Sequence, residues 1–209
     1  KDETIVRMPF EVRHMGSKYP IFSFDFTGAK RGVLPASYDY LRLEGRMQYR
    51  LNLPPIGYSQ LMLEGGKIFG KVPYLLLKLH EGNGTYFYDR YAFSCMNFYE
   101  FSSDAWISFF YEHHFNGFLL GRVPLLKKLN WREVFVFKGV YGTLSARNDG
   151  SLPNTKAVML FPVGMSSVEH PYLETGFGIE NIFRLLRVDC IWRLTHHRAV
   201  PGLSIPTFT

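Results

Sequence analysis

The groups with the most chemical potential in this chain are its seven histidines and the carboxylates beside them. His113-His114 and His196-His197 are adjacent pairs, and neighbours on a strand point to opposite faces, so neither pair chelates one ion without a bulge. Glu112 and His114, two apart, do share a face, but a metal needs three or four converging ligands and the sequence supplies no obvious third. The expectation is a histidine hydrogen-bonded to a neighbour, with no metal. Glu174 and Glu180, followed by Arg187, Asp189 and Arg193, have the residue types of acid/base machinery; at this spacing they read as a ladder of paired charges. Ser108 and His114 are the one pair that invites nucleophilic chemistry, and no Gly-x-Ser-x-Gly elbow supports it. Gly176-x-Gly178 lacks the third glycine and the following helix of a dinucleotide site. Cys95 and Cys190 are far apart with no Cys-x-x-Cys, which argues against a disulfide framework or a zinc site. The chain is therefore expected to be non-enzymatic, without cofactor.

Long strands must position these groups. From 41 to 53 the residues alternate without a break: Leu41, Leu43, Gly45, Met47, Tyr49, Leu51 and Leu53 on one side, Arg42, Glu44, Arg46, Gln48, Arg50 and Asn52 on the other. A helix would scatter that pattern around its surface; a strand resolves it into two faces. Thirteen residues are long for a soluble strand of ~5–6, and reach ~30 Å along a bilayer normal when tilted ~45°. Shorter alternations recur at Phe22/Phe24/Phe26, at Leu61/Leu63, over 106–115, over 131–144 where Val134 and Val136 blur the polar side, over 173–180, and over 188–194. With a last strand near 202–208 this predicts about eight long strands and almost no helix. The connections 53–57 and 182–186 are short, whereas 70–104 and 145–171 are long, the habit of outer-membrane barrels; 116–130 is long for a periplasmic turn.

Composition agrees. At 209 residues, 46% hydrophobic and 17% aromatic, the chain suits a single domain over 1–209 and has no apolar run long enough for a membrane-spanning helix. Its net charge of +6 is dispersed rather than blocked, so no nucleic-acid partner is expected. The chain begins with Lys and no apolar leader follows, so either a leader has been removed or the chain is cut from something longer. A soluble lipocalin-like barrel also alternates, but puts its apolar residues inside; polar faces mixing Arg and Glu suit a charged barrel interior. Tyr38, Tyr58, Trp106, Trp131 and Tyr172 near strand ends suit interfacial girdles.

Several stretches carry a family resemblance: Leu63-Glu64-Gly65-Gly66-Lys67-Ile68-Phe69-Gly70-Lys71-Val72-Pro73, Asn97-Phe98-Tyr99-Glu100-Phe101, Glu112-His113-His114-Phe115-Asn116-Gly117, Gly178-Ile179-Glu180-Asn181-Ile182-Phe183, Arg187-Val188-Asp189 and Trp192-Arg193-Leu194-Thr195. They resemble a Bacteroidota outer-membrane family of unknown function, whose members carry an N-terminal carboxypeptidase-regulatory-like domain and a C-terminal barrel. The resemblance implies a distant relation to BamA-type assembly barrels of sixteen strands, of which this chain would be the C-terminal half. It also implies that the 70–104 loop folds back into the lumen. In that superfamily an Arg-Gly-aromatic motif anchors this loop; Asn97, Phe98, Tyr99, Glu100 and Phe101 contain neither Arg nor Gly, so the anchor is either rebuilt on Glu100 or lost. The chain ends Pro206-Thr207-Phe208-Thr209, one place off the usual terminal aromatic.

The expected architecture is thus an all-β, antiparallel transmembrane β-barrel in the bacterial outer membrane. Arg42, Glu44, Arg46, Gln48, Arg50, Glu112, His114, Glu174, Glu180, Asp189 and Arg193 would line its lumen. The expected function is a scaffold, accessory subunit or assembly factor of an envelope complex, in contact with outer-membrane lipid, lipopolysaccharide and other outer-membrane or periplasmic proteins. The alternatives are a transport channel with a charged lumen and a soluble lipocalin-like binding barrel.

Overall fold

A computed structural model describes residues 3–8, 11–17, 19–32, 37–82, 89–151, 157–168 and 170–197. Twelve strands follow in chain order: β1 (Glu3–Met8), β2 (Glu11–Ser17), β3 (Ile21–Ala29), β4 (Tyr40–Asn52), β5 (Tyr58–Gly70), β6 (Lys78–Leu79), β7 (Phe101–Ser103), β8 (Ala105–His114), β9 (Arg132–Thr143), β10 (Ser166–Ser167), β11 (Tyr172–Ile182) and β12 (Leu186–Arg193). The single α-helical turn among the described residues is Pro124–Lys127. The fold is all-β.

Seven strands form one antiparallel sheet in the order β12-β11-β9-β8-β5-β4-β3, a meander in which each long strand pairs with the next. Among the described residues its edges are β3 and β12, and these are not paired with each other. All seven coincide with expected strands, although β5 runs on to Gly70. The β1–β2 hairpin was not expected, and it pairs apart from the sheet. The expected last strand at 202–208, with Pro206 and Phe208, lies outside the described residues.

The two faces divide as the period-two pattern dictates. One face is bare and apolar: Phe24 is 70% exposed, Phe26 76% and Phe177 59%, with Leu41, Ile107, Tyr141 and Val188 exposed alongside them. The other face is polar, and the long connections pack against it. Over it β6, β7 and β10 form a small three-stranded sheet, in which β10 pairs with β7 in parallel and β6 with β7 antiparallel. The main apolar cluster joins Met62, Phe110, Val140 and Tyr172 of the large sheet to Phe93, Met96, Phe101 and Val168 of the connections. A second joins Ile68 and Trp106 to Val72 and Leu77. Burial is therefore concentrated between the polar face and its loops.

The β4–β5 turn closes tightly, with the Leu53 N–H donating to the Gly57 carbonyl at 2.8 Å. Gly57 has φ +107°, and a Cβ there would lie 1.8 Å from the backbone oxygen of His114. Gly57→Ala is expected to cost more than about 1 kcal/mol, read as a fall in the urea midpoint, because the strain and the clash are both with backbone.

Candidate functional site

Register sets up the site. One row across the sheet runs Gln48, Met62, Phe110, Lys138, Glu174, Arg193, so a lysine, a glutamate and an arginine stand side by side on β9, β11 and β12. All three are buried, and each reaches up to the 71–104 connection rather than only to its neighbour. Lys138 Nζ donates to the Ala92 carbonyl at 2.5 Å and to Ser94 Oγ at 3.2 Å. Glu174 accepts from the backbone N–H of Ser94 (2.8 Å) and Cys95 (2.7 Å), and from the Tyr172 hydroxyl (2.6 Å). Arg193 donates to both oxygens of Glu100, at 2.5 and 3.1 Å, and to the Cys95 carbonyl at 3.2 Å. Its guanidinium lies 4.8 Å from the Tyr172 ring centre. The Asn97 N–H in turn donates to Glu100 at 2.9 Å. A buried bidentate arginine–carboxylate pair is thus the pin of the loop.

Of the five loop residues singled out, Glu100 and Phe101 are buried, whereas Phe98 and Tyr99 are exposed. Tyr99 adopts φ 56°, which turns the chain so that Glu100 points back to the sheet. Glu100 thus ties this loop to the polar face through an arginine that strand β12 supplies.

A second cluster lies on β4 and β5. Arg42 pairs with Glu44 at 2.6 Å, Arg46 with Glu64 at 2.7 Å, and Lys78 from the loop with Glu64 at 2.5 Å and Glu44 at 3.7 Å. The Trp106 indole N–H donates to Glu64 at 3.2 Å. Gln48 contacts Met62 Sδ at 3.8 Å. A cavity of about 280 Å³ beside this cluster is lined by Arg46, Glu64, Lys78 and Ser108 among others.

A third cluster sits toward the end of the sheet where β5 begins. Glu112 is approached by Arg187 and, at 2.7 Å, by Arg90; Arg187 also holds Asp189 at 2.8 Å. His114 lies 3.4 Å from Glu112 and 3.1 Å from Glu180, and stacks on Tyr58 at 4.4 Å, with Arg50 4.0 Å beyond that ring. Glu180 is the third group that the sequence did not offer. Yet no three His, Cys, Asp or Glu side chains among the described residues have metal-holding geometry, and two arginines already compensate Glu112. Ser108 lies six register rows from His114 along β8, so the pair that invited nucleophilic chemistry is not assembled.

Two loop groups are titratable and deeply buried. Burial, helped by the charge of Lys78, lowers the His80 pKa to about 3, and its ring nitrogen contacts Ser103 Oγ at 3.0 Å. His80 is therefore neutral in the folded chain across the range where an unfolded histidine charges. Stability is expected to fall as pH drops from 6.5 toward about 3, because the unfolded state takes up a proton that the folded state refuses. His80→Gln is expected to flatten that part of a urea-midpoint-against-pH profile. Burial, reinforced by the charge of Glu174, raises the Cys95 thiol to about 12. Both cysteines are free.

All eleven expected polar-face residues share that face, but their partners are not those that cross-strand neighbours suggest. Glu174 faces Arg193 in register, yet its carboxylate is filled by loop N–H groups while Arg193 takes Glu100. Lys138 and Glu64 escaped selection, and Tyr172 and Trp106, expected in an interfacial girdle, are instead buried against the loops, where they bond Glu174 and Glu64. Lys138 had a signal: on the β9 face carrying Val134, Val136 and Val140 it is the one charge inside the strand, Arg132 standing at the strand's start.

No curated protein matches the chain. A family described as a family of unknown function (DUF5686), C-terminal domain, matches residues 4–146, more than half of the chain, from β1 to just past β9. The chain belongs to that family, as its C-terminal domain.

Proposed function

We propose that this chain is a membrane-spanning part of an outer-membrane β-barrel, non-enzymatic, and that it serves as a scaffold or assembly subunit of an envelope complex. The observation that carries the reading is the inverted polarity of the sheet: large apolar side chains on the bare face, charges on the face covered by loops. A soluble lipocalin-like barrel has the opposite arrangement. The edges at β3 and β12, unpaired among the described residues, support a sheet completed by further strands, since unpaired edges cost several kcal/mol per group in hydrocarbon. Eight strands here of a sixteen-stranded, BamA-like barrel of the Bacteroidota outer membrane is the form of this reading that the sequence resemblance suggests. The 71–104 loop packed on the polar face supports a filled interior, and the loops 71–104 and 145–171 are the surfaces offered to protein partners and lipopolysaccharide.

The test is a heat-modifiability gel on the membrane fraction, where a closed barrel migrates differently before and after boiling. A soluble, unshifted band would sink the reading. Phe177→Arg, at the middle of β11 on the bare face, sharpens it. In a bilayer the charge is expected to cost about 2–4 kcal/mol and to lower the yield of heat-shifted protein; on a solvated face it would cost almost nothing.

The cavity of about 280 Å³ beside the half-exposed Arg46 favours a second reading, a transport channel. Steady single-channel conductance that changes with Arg46→Gln would support it; silence would favour the scaffold.

A further inference from the structure

The connection 115–131, long for a turn on the short-turn side of the sheet, makes a hollow of about 450 Å³ against the β11–β12 turn. Lys127, Arg132 and Arg184 line it together with Asn116, Asn181 and Trp131, and no acidic side chain is among its lining residues. The two segments are tied where Asn181 Nδ2 donates to the Asn130 carbonyl at 2.8 Å. Neighbouring acids are engaged elsewhere: Glu180, opposite Arg132 in register, bonds His114 at 3.1 Å, and Glu133 accepts from the Leu120 N–H. Outside the hollow stands an apolar rim. Phe183 is 82% exposed and Leu185 89%, with Leu119, Val123 and Leu129 exposed on the connection.

We propose that this hollow binds the phosphate headgroup of an anionic phospholipid in the leaflet facing the short-turn side, with Leu119, Val123, Leu129, Phe183 and Leu185 seated among its acyl chains. This rests on the membrane-spanning reading above. The argument for a lipid is the combination. Three cations and two side-chain amides converge on one concavity, which suits a phosphate diester, and each cation near an anionic surface is worth about 1 kcal/mol. A soluble anion would have no use for the apolar rim. That rim lies at the end of an apolar strand face, where an interface between headgroups and hydrocarbon would fall, and Trp131 is the residue type enriched there. The short-turn end of an outer-membrane barrel faces the periplasm, so the leaflet concerned is the phospholipid one.

Trp131 supplies the test. The native protein carrying Trp192→Phe, which removes the exposed bare-face tryptophan while Trp106 stays buried, is reconstituted in mixed phosphatidylcholine–phosphatidylglycerol vesicles. Bromine is placed on the acyl chains of one lipid or the other, and the heat shift is read on the same samples. The proposal expects brominated phosphatidylglycerol to quench Trp131 several-fold more than brominated phosphatidylcholine at equal mole fraction. Neutralising Lys127, Arg132 and Arg184 to Gln should remove the difference, by up to about fivefold per cation, with the heat shift intact. Equal quenching in heat-shifted parent protein overturns the lipid site and leaves an acidic protein surface as the occupant. A saturable change in Trp131 emission with glycerol 3-phosphate alone also overturns it, in favour of a free anion. No heat shift and no quenching by either lipid overturns the spanning reading, and this proposal with it.

Discussion

Arg193→Met is expected to release the 71–104 loop from the polar face. The substitution leaves the Glu100 carboxylate buried with its bidentate partner gone, and breaking such a pair from one side costs about 3–5 kcal/mol. Cys95 is the reporter. It is fully buried beneath the latch, its sulfur 3.6 Å from the Ile191 carbonyl, and burial holds the thiol at about 12. In a Cys190→Ser background, alkylation of Cys95 in the parent protein should be slow and should accelerate about a hundredfold or more in Arg193→Met, following a tenfold change per ~1.4 kcal/mol. Glu100→Gln added to Arg193→Met removes the orphaned charge and should recover part of the protection. An unchanged labelling rate in the single variant would show that the pair contributes nothing to holding the loop.

Glu174→Ala is expected to be at least as damaging, for a different reason. The carboxylate satisfies two backbone N–H groups and a tyrosine hydroxyl in a site with no exposure. Removing it orphans all three, at about 1–3 kcal/mol for each buried donor left without a partner. It also strips the negative neighbour from between Lys138 and Arg193 in the same row. Glu174→Gln keeps one acceptor oxygen but turns an amide N–H₂ toward a loop N–H, so its effect should fall between alanine and the parent. Urea midpoints in the order parent, Gln, Ala, with Cys95 labelling in the reverse order, would establish the carboxylate as the seat of the loop backbone. Equal midpoints for Gln and Ala would mean that charge, not hydrogen-bond satisfaction, is what the site needs.

These two residues mark where the sequence stopped being legible. Glu174 and Arg193 were readable as polar-face charges, because alternation along one strand assigns a face without reference to any other strand. Their pairing was not readable, since Glu100 lies 93 residues from Arg193 and Cys95 lies 79 from Glu174. The same holds for His114, whose second carboxylate, Glu180, is 66 residues away. Lys138 was passed over because three valines on its face made that side of β9 look apolar; the face is apolar only because loop side chains cover it. The small sheet of β6, β7 and β10 left almost no pattern, as strands of two or three residues are too short to show a period.

What the sequence by itself determined is the strand class, the strand lengths and the sorting of side chains to two faces, with Leu41 to Leu53 the clearest case. These follow from the two-residue period of an extended chain, which is local. The tertiary structure alone decided which charge meets which, and that the 71–104 loop, not a cross-strand neighbour, completes the row of Lys138, Glu174 and Arg193. Charges of both signs crowd one face, so local pattern permits many pairings of similar energy. Register and the folding back of the loop choose among them, and the arrangement adopted gives the buried Lys138, Glu174 and Arg193 side chains hydrogen-bond partners in the loop.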